Sequence, residues 1–422
     1  MSIPQSGGEL IEKPEQMVEF IEAGCKPKSK WRIGTEHEKF GYNKKTLKPL
    51  PYEGKTSIAN ILRGLRDQFD WQPIKERQNL IGLKKGNANI SLEPGGQLEL
   101  SGAPLENIHD TCEEVNTHLA EVKTIADTMD AGFIGLGTAP TWSQEEMPMM
   151  PKGRYKIMRD YMDKVGSMGK TMMYRTCTVQ VNLDFESEID MVKKFRVGLA
   201  LQPIATALFA NSPFVDGRPS GYVSSRSNAW FNTDPDRCEI PQFVFETGMG
   251  FERYVDFALD VPMYFVFRDG RYLDVSGQSF RDFLKGKLPG LPGEMPTLKD
   301  WSDHLTTIFT EVRLKQFLEM RGADAGPWNQ LCALPALWVG LLYDSTSLDQ
   351  AWDIIADWSF EEVRELRSEA GVYGMAGSFR GMPVHELAKK VVELAREGLG
   401  RRGCVDNAGT DETGFLVPLA KV

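Results

Sequence analysis

TCTVQVNLDF, residues 176–185, alternates without a break: Thr178, Gln180, Asn182 and Asp184 fall on one side, and Cys177, Val179, Val181, Leu183 and Phe185 on the other. Side chains of a β-strand alternate with period two, so this segment reads as a strand with one polar and one apolar face. Three further stretches share the habit. In residues 33–40 (IGTEHEKF) Glu36 and Glu38 point the same way. In residues 90–100 (ISLEPGGQLEL) Gln97 and Glu99 do so, opposite Leu98 and Leu100, while Glu93 precedes a Pro-Gly-Gly turn that can swing it to their side. In residues 313–321 Leu314, Gln316, Leu318 and Met320 alternate with Arg313, Lys315, Phe317, Glu319 and Arg321. Helices and strands are mixed without the regular alternation of a doubly wound sheet. The expected class is therefore α+β, with a mainly antiparallel sheet whose apolar face packs on helices.

The polar face is the unusual part. Solvent-facing strands mix Lys, Thr and Glu, whereas these carry carboxylates in pairs. Two carboxylates about 7 Å apart repel by roughly 2 kcal/mol at an effective dielectric near 20, and converging pairs multiply that cost. A divalent cation removes it, and Mg²⁺ takes carboxylate, amide and water oxygens while sharing its shell with substrate phosphates. The Glu319-Met320-Arg321 triplet adds a guanidinium beside a carboxylate, as phosphoryl transfer requires. His37 lies on the opposite face from Glu36 and Glu38, which makes Glu-His-Glu a poor zinc set and His37 a structural residue. Other arginines with potential for anions lie in Ser225-Arg226-Ser227-Asn228-Ala229-Trp230, with Asp234 and Arg237 close by, and in Lys152-Gly153-Arg154-Tyr155.

Composition narrows the classes. With 49 basic and 59 acidic residues the net charge is −10, and the basic residues form no runs, which argues against nucleic-acid binding. The longest apolar stretch, residues 331–343, contains Pro335 and falls short of the ~20 residues a bilayer requires. The amino-terminal residues MSIPQSGGELIEKPEQ show no targeting pattern, so the cytosol is the expected location. Six scattered cysteines without a CxxC pair read mostly as reduced core residues rather than a zinc site or disulfide scaffold. Gly54-Lys55-Thr56 lacks the leading glycine of a P-loop, since position 49 is Pro, and Gly135-Leu136-Gly137 lacks the third glycine of a dinucleotide fingerprint. Helical spacing predicts helices over 14–23, 57–69, 106–131, 188–210, 298–309, 328–343, 348–369 and 384–397, and Asp269-Gly270 predicts a hairpin between strands at 261–267 and 272–275.

The stretches IGTEHEKFGY, ISLEPGGQLELSGAP, MPKGRYKIMRDYM, RTCTVQVNLDF, LALQPIATALFANSPF, DFALDVPMYF and EVRLKQFLEMRGADAGPWNQLCALPALWVGLLYD resemble the glutamate-cysteine ligases of the plant and proteobacterial type, within the glutamine synthetase-like carboxylate-amine ligase fold. The resemblance implies a funnel built on a curved antiparallel sheet and surrounded by helices. It implies ATP-dependent joining of the L-glutamate γ-carboxylate to the L-cysteine amine through a γ-glutamyl phosphate, the first step towards glutathione. By motif, Glu36, Glu38, Glu93, Glu99 and Glu319 are the implied Mg²⁺ ligands, with Gln97 nearby. Thr178, Gln180 and Asn182 meet ATP or its metal; Arg321, Glu319 and Arg226 serve catalysis; Arg226, Arg237, Trp230, Lys152, Arg154 and Tyr155 meet the amino acids. The same chemistry with another amine acceptor, or a non-catalytic glutamate- or nucleotide-binding homologue, remains the alternative. Residues 1–403 are expected to form one catalytic domain, acting as a monomer or homodimer with no nucleic-acid or membrane partner. Residues 404–422 are expected to form a divergent, polar, frayed tail. Val275 and Gly290 stand where plant members carry a regulatory disulfide, so oxidant is expected to change activity little. Glu36→Gln or Glu319→Gln is expected to abolish turnover and leave the fold intact.

Overall fold

In a computed structural model, which describes residues 7–421, the alternating stretches join one nine-stranded sheet. Its strands are β1 (Ile33–Asn43), β2 (Gln72–Glu76), β3 (Asn79–Lys85), β4 (Ala88–Leu92), β5 (Leu98–Ser101), β6 (Ala131–Ile134), β7 (Thr178–Leu183), β8 (Val312–Leu314) and β9 (Leu318–Asp324). The order is β8-β9-β7-β1-β5-β4-β3-β2, with β6 pairing the far end of β1. Every neighbouring pair is antiparallel. The expected α+β class with a mainly antiparallel sheet therefore stands. The first six residues of the amino-terminal stretch and Val422 lie outside the described residues.

The pleat sorts the side chains. Val179, Val181, Leu183 and Phe185 enter a core with Ile33 and with residues of the helices Glu188–Leu208 and Trp328–Leu342. A second core gathers Leu98 and Leu100 with Ile58, Ile61, Leu62 and Leu65 of the helix Ile58–Gln68. Burying each such side chain contributes roughly 1.5–3 kcal/mol. With one face committed to helices, the carboxylates at alternate positions are carried to the other.

Several expected elements are redrawn. The helix expected over 106–131 is Ile108–Asp127; Asp130 takes φ 54° and Ala131 opens β6. The helix expected over 348–369 is two, Ser345–Ile355 and Phe360–Tyr373, because Ser359 and Glu362 form a capping box that starts a new helix. The run 313–321 is the hairpin β8–β9 rather than one strand, with Lys315 N–H donating to the Phe317 carbonyl in the turn. Cys25, Cys177, Cys238 and Cys404 are free, in line with reading most cysteines as reduced, but Cys112 and Cys332 are disulfide-bonded at a Cα separation of 5.7 Å, tying the helix Ile108–Asp127 to Trp328–Leu342. The tail is not frayed. Leu416 and Leu419 join the core, and the Glu412 carboxylate accepts from the Ile108 N–H at 2.6 Å, the first turn of the helix it abuts. Among the described residues no single helix is long and apolar enough to cross a membrane.

The helices Trp328–Leu342 and Val384–Arg402 cross at Gly340 and Gly398, where a Cβ on Gly398 would stand 2.0 Å from the Gly340 carbonyl oxygen. Gly398→Val is expected to lower stability by about 3 kcal/mol through overpacking. Gly400→Ala, two residues along on the exposed face, should raise it by about 0.5–1 kcal/mol by relieving backbone entropy. Urea midpoints of the two variants, expected on opposite sides of the parent, check both.

Candidate active site

Strand register brings the acidic residues together. Glu38 of β1 stands directly across from Glu99 of β5, and Glu36 across from Gln180 of β7. The turn after β4 delivers Glu93. Gly95 lets that turn press on the Tyr174 carbonyl, which a Cβ would meet at 2.2 Å, and Gly96 takes φ 85°. Gln97 locks it: its carboxamide oxygen accepts from Gly95 N–H at 2.8 Å, and its nitrogen donates to the carbonyls of Met173 and Thr176. One carboxylate oxygen from each of Glu38, Glu93 and Glu99 lies within 4.8 Å of the others.

These groups line a cleft of about 830 Å³, counting its open mouth. Its walls add Glu36, Gln97, Thr178, Gln180, Arg313 and Arg321 from the sheet, Arg226 and Trp230 from the helix Ser225–Phe231, and Arg154 and Tyr155 from Gly153–Val165. Basic groups stand opposite the acidic ones. The Arg226 guanidinium lies 5.3 Å from the Trp230 ring centroid and that of Arg321 5.4 Å from it. The Nε atoms of Arg154, Arg226 and Arg321 are buried with no hydrogen-bond partner among the described residues. Buried donors without acceptors are costly, so these three nitrogens mark where anionic oxygens are expected.

The carboxyl groups divide into two electrostatic classes. Burial, followed by Glu99 and Glu93, pushes Glu38 well above the usual carboxylate range; burial and Glu93 push Glu99 to about 7; burial, Glu319 and Glu99 push Glu36 up. The partners that remain are few. Glu38 accepts from Thr178 N–H at 3.0 Å, Glu99 from the Ser101 hydroxyl at 2.6 Å, and Glu36 from the Asn182 carboxamide at 2.9 Å. Glu319 is the reverse. Burial raises its pKa, but Arg313, Lys315 and Arg321 outweigh that and hold it well below the usual range. Arg313 Nη2 bonds it at 2.7 and 2.9 Å, Lys315 Nζ lies 2.9 Å away, and Arg321 Nη1 bonds it as well.

In metal-free protein the raised carboxyls hold protons to higher pH when folded than when unfolded. At these carboxyls the folded state therefore binds more protons between about pH 4.5 and 7, and their contribution to stability falls as pH rises. Each such carboxyl contributes a slope of about 1.4 kcal/mol per pH unit where the two states differ by a full proton. Buried His37, His118 and His304 titrate the opposite way, losing protons on folding below about pH 6.5, so the carboxyls are read through the metal: in thermal unfolding Mg²⁺ should raise Tm more at pH 8 than at pH 5, and an equal or smaller rise at pH 8 would contradict this.

Some sequence-based assignments are redistributed. Arg237 does not reach the cleft: it is wholly buried, its Nε pairs with Asp234 at 2.6 Å, and it donates to the carbonyls of Pro262 and Thr307. Lys152 lies behind Tyr155, donating to its hydroxyl at 3.2 Å. Asn182 donates to Glu36, and Glu319 is clasped by Arg313, Lys315 and Arg321. Arg313, Thr306 and Phe309 line the cleft although no role was read for them. Arg313 falls on the Glu319 side of the alternating run, which is the one signal that pointed to it.

A model for glutamate-cysteine ligase family 2 matches residues 32–422, so the match continues through the tail read as divergent. The chloroplastic glutamate-cysteine ligase of Medicago truncatula is 58% identical over 408 residues, covering 97% of this chain and 78% of its own. Chloroplastic glutamate-cysteine ligase B of Oryza sativa subsp. japonica is 58% identical over 402 residues, covering 95% and 79%. A crystal structure of the Francisella tularensis glutamate-cysteine ligase in complex with AMP shares the fold, with a TM-score of 0.55 at 14% identity over 93% of this chain and 80% of that one. The expected cytosolic location does not stand: relatives that match nearly the whole chain are named chloroplastic.

Proposed function

The chain belongs to glutamate-cysteine ligase family 2, and on that premise we propose that the cleft joins L-glutamate to L-cysteine with cleavage of ATP, the first step of glutathione synthesis. A γ-carboxylate oxygen of glutamate attacks the γ-phosphorus of ATP, and the bond to ADP breaks. The cysteine amine then attacks the acyl carbon of the γ-glutamyl phosphate, inorganic phosphate leaves, and the nitrogen loses a proton to give the amide. The observation that carries this reading is the facing of two sets in one cleft: an acidic trio on β1, β5 and the β4–β5 turn, and three buried arginines with unpartnered Nε atoms.

The oxygens of Glu38, Glu93 and Glu99 are hard donors close enough to share an ion, and the crowding that raises two of their pKa values is what such an ion relieves; they fit Mg²⁺, with Glu36 beside them. Bound there, Mg²⁺ supplies positive charge to phosphate oxygens. Arg321 and Arg226 are assigned the charge that develops on the transferred phosphoryl group, since guanidinium donors aimed at developing anionic oxygens stabilise the transition state. Trp230 holds both guanidiniums in place by cation–π contact. Arg154 and Tyr155 are assigned to amino-acid carboxylate, with Lys152 fixing Tyr155. Thr178 and Gln180 are assigned to nucleotide, Gln180 accepting from Arg321 at 2.7 Å. Asn182 and Glu319 act through their neighbours, Asn182 orienting Glu36 and Glu319 orienting Arg321.

ADP release measured with ATP and glutamate plus cysteine, against glutamate plus other primary amines, tests the assignment. Cysteine is expected to give the highest kcat/KM. Equal rates with simple amines would overturn the choice of acceptor, and no glutamate-dependent ADP release would overturn the ligase reading.

A further inference from the structure

On the opposite face of β1 from the acidic trio, His37 and Lys39 point into the helical layer, and they border a second cavity of about 880 Å³ counting its mouth. Its walls are mainly apolar, Leu119, Phe133, Leu136 and Leu331 with Asn211 among them, and Trp328 is 48% exposed. Glu38 also borders it, but its carboxylate is engaged on the funnel side by Thr178 N–H.

The polar lining of this cavity is His37, Glu38, Lys39 and Asn211, and Lys39 is its cation. Lys39 is 3% exposed, its amine donates to the Leu98 carbonyl at 3.2 Å, and among the described residues no carboxylate lies within ion-pair distance of it. Buried lysines elsewhere are treated otherwise: Lys194 pairs with Asp190 and lies over the Trp31 ring, and Lys315 pairs with Glu319. Beside Lys39, the rings of His37 and His118 meet edge to face at 5.4 Å, and all four of their buried ring nitrogens lack a hydrogen-bond partner. Each neutral imidazole carries one N–H and one acceptor nitrogen, so the surplus of donors behind the sheet comes from the Lys39 amine, which spends one N–H on Leu98, and each buried group left unsatisfied costs about 1–3 kcal/mol. A carboxylate supplies the missing acceptor oxygens, and the walls above suit an apolar body.

We propose that this cavity binds a monocarboxylate with a short apolar body, its carboxylate at Lys39 and the body enclosed by Leu119, Phe133, Leu136 and Trp328. The inference is independent of the ligase reading, since none of these residues lies in the funnel. Calorimetric titration with octanoate and with octan-1-ol tests it, using the parent protein, Lys39→Met and the cavity-filling Leu119→Trp. Octanoate should bind the parent at least about tenfold more tightly than octanol, the difference a hydrogen bond to a charged group makes. Lys39→Met should abolish that preference and Leu119→Trp should abolish binding of both. Octanoate binding unchanged in both variants would place it in the funnel and overturn the proposal, as would the absence of saturable octanoate binding by the parent. Should Lys39→Met fail to fold, the Leu119→Trp arm decides alone.

Discussion

Glu38→Gln is expected to lower kcat by at least about 1,000-fold while making the metal-free protein more stable. The two effects share a cause. Glu38 stands across the strand pair from Glu99 and within reach of Glu93, and like charges directly opposed on a sheet destabilise it. Glutamine keeps the shape and the acceptor for Thr178 N–H but removes one negative charge, which at an effective dielectric near 20 relieves about 2–4 kcal/mol of repulsion at a pH where the neighbours are ionised. The same substitution removes a charge assigned to Mg²⁺. Initial-rate ADP release and Tm in chelator at pH 8 report the pair. A variant with parental kcat, or one that melts earlier, would contradict the assignment.

Glu319→Gln should lose activity too, but with the opposite effect on the fold. Glu319 is 0% exposed and neutralises Arg313, Lys315 and Arg321; without its charge three buried cations face one another. Breaking a buried ionic cluster from one side costs about 3–5 kcal/mol, and that loss is expected here in urea unfolding. The sequence-based expectation that this variant leaves the fold intact is revised accordingly. The two substitutions look alike on paper, glutamate to glutamine on the same polar face. Their stabilities should diverge because one carboxylate is crowded by anions and the other clasped by cations.

Much of this architecture was legible from period-two alternation. The strand at 178–183 reads clearly because one face must be apolar, whereas the one at 33–43 reads through the pair Glu36 and Glu38, its helical face carrying Thr35, His37 and Lys39. β2 did not, since Gln72–Glu76 is largely exposed and carries no apolar alternation, and β3 did not because its residues 80–83 (LIGL) are a continuous buried run without period two. The split at Ser359 depended on a capping box inside an apolar-periodic run, a local signal that periodicity overrides. In the cleft, alternation placed Glu36, Glu38, Glu99 and Gln180 on the polar side, yet it could not say which charges pair. Arg237 read as an anion-holding group although Asp234 is three residues away, because nearness in sequence does not show that the pair is buried and closed by the carbonyls of Pro262 and Thr307; nor does it show that Arg313, Lys315 and Arg321 converge on Glu319. The Cys112–Cys332 bond spans 220 residues, and no spacing rule reaches that far.

The proposed chemistry requires that the crowded carboxylates of Glu38, Glu93 and Glu99 form a divalent-cation site. Crystals grown with Mn²⁺ in place of Mg²⁺ and measured for anomalous scattering test it directly. The account predicts a peak roughly 2.0–2.3 Å from oxygens of Glu38, Glu93 and Glu99. Manganese peaks confined to the outer surface, with those three side chains as close as they are without metal, would contradict it.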